Sequence, residues 1–159
     1  MTLIDGATWQ MVNDGVMGGI SGSSVTRTDA STWLFGGTVS LENNGGFASA
    51  QAMLPESVDL SAFDGLALRV RGDGNRYGFN VRSVGLQRLS YRGYFATTGA
   101  WQDVRFDFAT LQPITLGNVV PDAPPLDLTQ VQMLGFIIAD KQDGPFSLEI
   151  DTIRAYSTA

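Results

Sequence analysis

The chain of 159 residues has no cysteine, no histidine and a single lysine. No apolar run in it approaches the ~20 residues of a membrane-spanning helix, so a membrane span is not expected. Without cysteine there can be no disulfide, thiolate metal site or thiol nucleophile. A reducing compartment suits such a chain, and a cytoplasmic location is expected. Without histidine, acid–base catalysis near neutral pH loses its commonest carrier, and the usual serine and cysteine hydrolase arrangements cannot be assembled. Ser21, Ser23 and Ser24 therefore read as loop residues. Zinc sites built on histidine and cysteine are excluded as well. The first positive side chain is Arg27, so the opening Met1-Thr2-Leu3-Ile4-Asp5-Gly6 lacks the basic start of a secretory signal.

Positive charge is scarce too. Ten basic residues stand against sixteen acidic ones, a net charge of -6. Phosphate binding relies on clustered cations and counterion release, so nucleic acid is not an expected partner. All the cations except Lys141 are arginines. Arginine's planar fork of donors suits fixed, partly buried contacts better than simple solubility does.

What remains is a chain rich in glycine (19) and carrying 6 prolines, with short apolar runs between them. That rhythm, at a length of about one domain, predicts a single all-β domain spanning 1–159, a sandwich or barrel. A chain of this size can bury roughly 70% of its unfolded surface. Several runs alternate with the period of two that packs one face and wets the other. Trp33, Phe35, Val39 and Leu41 share a face, opposite Thr38, Ser40 and Glu42. Leu66, Leu68 and Val70 oppose Arg69 and Arg71; Tyr77, Phe79 and Val81 oppose Asn80 and Arg82; Val104, Phe106 and Phe108 oppose Asp103, Arg105 and Asp107. Gly72-Asp73-Gly74-Asn75 between two such runs reads as a hairpin loop, because Asp-Gly tolerates positive φ. Met133 to Ala139 is apolar at nearly every position and reads as a central strand covered on both faces. The run from Phe146 to Tyr156 shifts phase at Ile153, which predicts a bulge. Leu126 to Gln130 reads as one turn capped by Asp127, and Pro113 to Pro125 as the longest irregular stretch.

Chemistry-bearing motifs are few. Glu149 and Asp151 stand two apart, as paired carboxylates do in jelly-roll glucanases, but the further glutamate of such sites is replaced by Ile153. A carboxylate-dependent glycosidase is thus the weakest reading, and no catalytic residue is assigned. A calcium site using Asp5, Glu149 or Asp151 lacks any spaced calcium loop, so neither metal nor cofactor is expected. Gly72-Asp73-Gly74 is followed by Gly78, which misses the dinucleotide fingerprint spacing.

Two constellations stand above this background. Trp9, Asn13, Asp14 and Met17 belong to a glycine-rich stretch that either approaches another surface closely or forms a wide turn whose Asn13 and Asp14 bond their own backbone. The second is the polar face of successive runs: Arg69 and Arg71, Asn80 and Arg82, then Arg92 and Tyr94, side by side if these strands form a meander. Like charges placed opposite one another are destabilising. Either Asp103, Asp107 or Glu42 neutralises them, or an external anionic or carboxylate-bearing partner does. Tyr91, Tyr94 and Trp101 could add stacking surface.

The same residues carry a family resemblance. Trp9…Asn13-Asp14-Gly15-Val16-Met17-Gly18-Gly19-Ile20-Ser21 is followed by Phe35-Gly36-Gly37, Ser40-Leu41-Glu42-Asn43-Asn44-Gly45-Gly46-Phe47, Asp64-Gly65-Leu66 and Arg71-Gly72-Asp73-Gly74. Leu134-Gly135-Phe136, Asp140-Lys141-Gln142, Gly144-Pro145-Phe146 and Leu148-Glu149-Ile150-Asp151 close the series. This order resembles the complex I intermediate-associated protein 30 family across nearly the whole chain. The resemblance implies a galactose-binding-domain-like β-sandwich of jelly-roll type. It also implies a non-enzymatic, assembly-factor-like module that binds protein, with respiratory-complex subunits or intermediates as the candidate partners. The bare module, without a mitochondrial presequence, is expected of a bacterial stand-alone member. A carbohydrate- or small-anion-binding domain using the same surface is the alternative. The site residues expected on these grounds are Trp9, Asn13, Asp14, Met17, Asn44, Phe47, Arg69, Arg82, Arg92, Tyr94 and Gln142.

Overall fold

Strands with one apolar face must cover it, and here two antiparallel sheets cover each other. The computed structural model describes residues 2–13 (backbone only at Asn13), 22–40, 46–85, 89–115, 118–139, 142 and 144–158. The strands run β1 Thr8–Asn13, β2 Gly22–Arg27, β3 Trp33–Val39, β4 Ala48–Val58, β5 Gly65–Arg71 and β6 Arg76–Ser83. They continue as β7 Ser90–Ala96, β8 Trp101–Asp107, β9 Gln112–Thr115, β10 Asn118–Val119, β11 Val131–Ile138 and β12 Gly144–Tyr156. The order is β1-β4-β11-β6-β7-β9-β10 in a seven-stranded sheet and β2-β3-β12-β5-β8 in a five-stranded one. The only helical element among the described residues is one 3-10 turn, Phe108–Thr110, so no helix there is long and apolar enough to cross a membrane. The expected all-β jelly-roll-type sandwich is what forms.

The alternating residues make the core. Leu66, Leu68 and Val70 of β5 face Tyr77, Phe79 and Val81 of β6 across the sandwich, all fully buried. Phe79 stacks on Phe106 of the opposite sheet at 5.6 Å between centroids and tilts against Phe136 at 5.4 Å. Such aromatic pairs add about 0.5–1.5 kcal/mol beyond the area they bury. β11 lies between β4 and β6 with Leu134, Phe136 and Ile138 turned inward and Met133 buried on the other side, as its unbroken apolar run requires. The register of β12 against β5 slips between Ile150 and Thr152, the bulge that the phase shift at Ile153 predicts. Asp127 caps the turn at Thr129, accepting from its amide at 3.0 Å and its hydroxyl at 2.6 Å.

Four expectations are corrected, the simplest being that Ser23 and Ser24 lie in β2 and not in a loop. Gly72 to Asn75 is not a hairpin: β5 pairs with β12 and β8, whereas β6 pairs with β11 and β7, so the segment crosses from one sheet to the other. It follows that β5, β6 and β7 do not form one meander. The chemistry of the turn survives in a different role. Asp73 accepts from the Ser147 amide at 2.7 Å, the Asn75 amide at 3.2 Å and the Tyr77 hydroxyl at 2.9 Å, tying both sheets to the crossing. Burial, and then the Asp73 charge, hold the Tyr77 phenol above its ordinary range. Gly72 is fixed by sterics, since a Cβ there would overlap buried Thr97. Finally, Pro113 to Pro125 is not wholly irregular; β9 and β10 pair there as a short ribbon on β7.

Candidate functional site

With β5 in the other sheet, the arginines divide between the two outer faces. On the five-stranded sheet Arg69 meets Asp103 at 3.2 Å, directly opposite it on β8. Arg71 meets Glu149 at 2.6 Å, opposite it on β12, and both guanidiniums lie over the Trp101 ring, at 5.6 and 5.0 Å. Glu149, its side chain only 13% exposed, accepts from the Thr32 hydroxyl at 2.5 Å on its second oxygen. The Thr32 bond, more than the Arg71 bond and charge, holds the carboxyl below its usual value. Arg69 and Arg71 are neutralised from within, by Asp103 as the sequence allowed and by Glu149. Asp107 instead accepts from the Tyr156 hydroxyl, and Glu42 lies outside the described residues.

The outer face of the seven-stranded sheet is different. Register places Gln10, Gln51, Gly135, Asn80, Arg92 and Gln112 in one row across β1, β4, β11, β6, β7 and β9. A second row brings Ile137, Gly78 and Tyr94 side by side, and Met53, Met133 and Arg82 form a third. Arg92 donates its Nε to Asn80 Oδ1 at 2.6 Å, and Arg82 donates an Nη to Ser90 Oγ at 2.9 Å. Asn80, at 6% exposure, and Ser90 are buried although they lie on the sheet's outer side. Gly78 and Gly135 keep the floor low: a Cβ on Gly78 would come within 2.8 Å of the Ile137 side chain and 3.2 Å of the Arg92 stem. Tyr94 is 38% exposed and has the Arg76 guanidinium 4.1 Å above its ring.

Among the described residues neither Arg82 nor Arg92 has an ion pair, and the buried Nε of Arg82 has no hydrogen-bond partner. Desolvation, followed by the nearby Arg92 charge, pulls the Arg82 guanidinium below its ordinary range. Two half-buried cations held by neutral groups, over a floor of glycines, form a cradle for a negatively charged or strongly accepting group.

Of the expected site residues, the structure brings Arg82, Arg92 and Tyr94 together here. Arg69 is excluded from the group by the sheet crossing. Trp9 is on the inward side of β1, half-buried against the core and 5.7 Å from Trp33. Gln142 spends its amide on backbone, accepting from the Arg76 amide at 2.7 Å and donating to the Arg76 and Ala139 carbonyls at 2.7 and 2.8 Å. Phe47 is half-buried just before β4. Asp14, Met17, Asn44 and the Asn13 side chain lie outside the described residues. The sequence reading passed over Gln10, Gln51, Ser90 and Gln112. The alternation Ala48-Ser49-Ala50-Gln51-Ala52 carried the signal for Gln51, since it sets a polar residue between two core alanines.

Two antiparallel sheets packed face to face define a β-sandwich. The family 11 carbohydrate-binding module of a cellulosomal cellulase of Clostridium thermocellum is similar, with a TM-score of 0.70 at 15% identity over 94% of this chain and 88% of that one. A family 30 carbohydrate-binding module is similar at a TM-score of 0.57 and 16% identity, over 86% of this chain and 92% of that one. At such identities the likeness shows the fold alone. Residues 4–150 match the family described as complex I intermediate-associated protein 30, and the chain belongs to that family. The mitochondrial complex I intermediate-associated protein 30 of Mus musculus is 30% identical over 94% of this chain and 52% of its own length. That of Drosophila melanogaster is 31% identical over 60% of this chain and 35% of its own length. The chain thus spans about half the length of the mouse relative.

Proposed function

We propose that the chain is a non-enzymatic protein-binding module, acting in the manner of respiratory complex I assembly factors. It holds a protein partner on the outer face of its seven-stranded sheet. The observation that carries this reading is the pair Arg82 and Arg92, half-buried on that face without a carboxylate among the described residues. Membership in a family named for association with complex I intermediates supports protein as the ligand class and makes respiratory-complex subunits the first candidates. Asn13, where the first glycine-rich stretch starts, pairs with Ala48, which follows the second, at the end of the sheet that carries Tyr94. A chain without cysteine fits the reducing cytoplasm as the place of action.

A non-enzymatic role is supported by the state of Glu149. Both its oxygens are engaged, and its carboxyl is held low, whereas the acid of a glycosidase must be held high. A second reading, binding of a carbohydrate or small anion at the same face, is favoured by exposed Tyr94 beside a row of side-chain amides. The two readings separate in one comparison. Protein captured from the native host is identified, purified and rebound to the wild type, R82Q and R92Q, while the same proteins are applied to a glycan array. Rebinding weakened by the substitutions, with a silent array, is expected. An array signal removed by Arg82→Ala or Tyr94→Ala, without protein rebinding, would reverse the assignment.

A further inference from the structure

We infer that the Arg82–Arg92 pair is a receptor for a carboxylate, and that the segment of the partner it anchors is acidic. This rests on the protein-binding reading and specifies the chemistry of its contact. Arg82 is directly across from Ser90, and Arg92 from Asn80, so the two arginines are diagonal neighbours on adjacent antiparallel strands. Diagonal positions are about 7–8 Å apart at the backbone, within reach of one bridging group for side chains of this length. Each guanidinium is fixed by one neutral bond to its cross-strand neighbour. Those bonds set its direction and leave its charge without a carboxylate partner among the described residues.

The cost of the arrangement is visible in the electrostatics. Arg82 is desolvated and faces a like charge, a combination that destabilises the free protein. On the opposite face the same residue type is given a carboxylate wherever it occurs in β5. A protein with net charge -6 does not lack acids to spend on Arg82 and Arg92. The acid of this site is therefore supplied from outside. A carboxylate suits it better than a polyanion, because the protein as a whole, at a net charge of -6, repels negative charge. The flanking amides of Gln51 and Gln112 are placed to hydrogen-bond the main chain of the segment that carries the acid.

The test uses the whole chain labelled with nitrogen-15 and titrated at low salt with N-acetylated, C-amidated hexaglutamate. Hexaglutamine and inorganic phosphate serve as the other arms. Saturable shifts of the arginine Nε–H signals of Arg82 and Arg92 are expected with hexaglutamate and not with hexaglutamine. R82Q and R92Q should each weaken the binding at least tenfold, Arg82→Lys less, and Arg69→Gln on the opposite face less than twofold. Thermal melting confirms that each variant folds. If R82Q does not fold, Asn80→Asp, which supplies a carboxylate from within, must by itself weaken binding at least tenfold. Absence of saturable shifts, an equal loss in Arg69→Gln, or phosphate binding as tight as hexaglutamate would each overturn the assignment. A purified protein partner that still binds R82Q/R92Q at full strength would remove the carboxylate anchor and leave the protein-binding reading standing. Glycan binding without a protein partner would remove that reading instead.

Discussion

On the five-stranded sheet, Arg69 and Arg71 meet Asp103 and Glu149 and share the Trp101 ring; on the seven-stranded sheet, Arg82 and Arg92 meet a serine, an amide and one another. Both pairs are polar residues in alternating strands, and both present two cations on an outer face. Pairing with nearby carboxylates makes the first pair part of the scaffold. The second pair has no carboxylate partner among the described residues. Under the proposed function, scaffold and binding surface lie on opposite sides of one core.

The comparison can be broken by making the faces alike. Asn80→Asp sets a carboxylate where Arg92 already donates at 2.6 Å, so ligand binding at that face should fall at least tenfold. Urea unfolding should show stability unchanged or raised by up to about 1 kcal/mol, the usual range for a hydrogen-bonded charge pair. The converse change, Glu149→Gln, leaves Arg71 without its counter-charge and weakens the Thr32 contact. A loss of about 1–2 kcal/mol is expected by the same measurement, with binding at the far face intact.

The pH dependence sharpens the same contrast. The Glu149 carboxyl is held below its usual value near 4.5, so its stabilisation is fully present above that pH. It is lost as the pH falls through the lower folded value, because the unfolded chain then binds the proton more readily. Melting temperatures of wild type and Glu149→Gln should therefore converge on acidification below about pH 4.5, while Asn80→Gln should run parallel to wild type. The smallest effect is expected for Arg92→Gln. Removing one of two neighbouring like charges offsets the loss of the donor to buried Asn80, so stability should change by less than about 1 kcal/mol even as the site weakens. A loss well above that would show that Arg92 serves the scaffold after all.

Much of this was legible in the residues. Period-two runs gave the core residues of β5, β6 and β8, the unbroken apolar run gave central β11, and the lost phase before Ile153 gave the bulge in β12. The polarity of Arg82, Arg92 and Tyr94 relative to their apolar neighbours was equally plain. The glutamine row was harder to see, because Gln10, Gln51 and Gln112 stand far apart in the chain and meet only through the pairing of β1, β4, β11, β6, β7 and β9.

The sequence by itself determined that the chain is all-β, which residues of its alternating runs turn inward, and that arginine carries nearly all of its positive charge. Local alternation fixes a strand's two faces because side chains point to opposite sides at successive residues. It is silent on which strand lies alongside. Gly72 to Asn75 could turn back into the same sheet or cross to the other, with the same Asp-Gly chemistry serving either path. Only the tertiary structure decided that it crosses, because β12 and β8 bury β5 on one side while β11 and β7 bury β6 on the other. That crossing separates Arg69 and Arg71 from Arg82 and Arg92, giving acids to one pair and none among the described residues to the other.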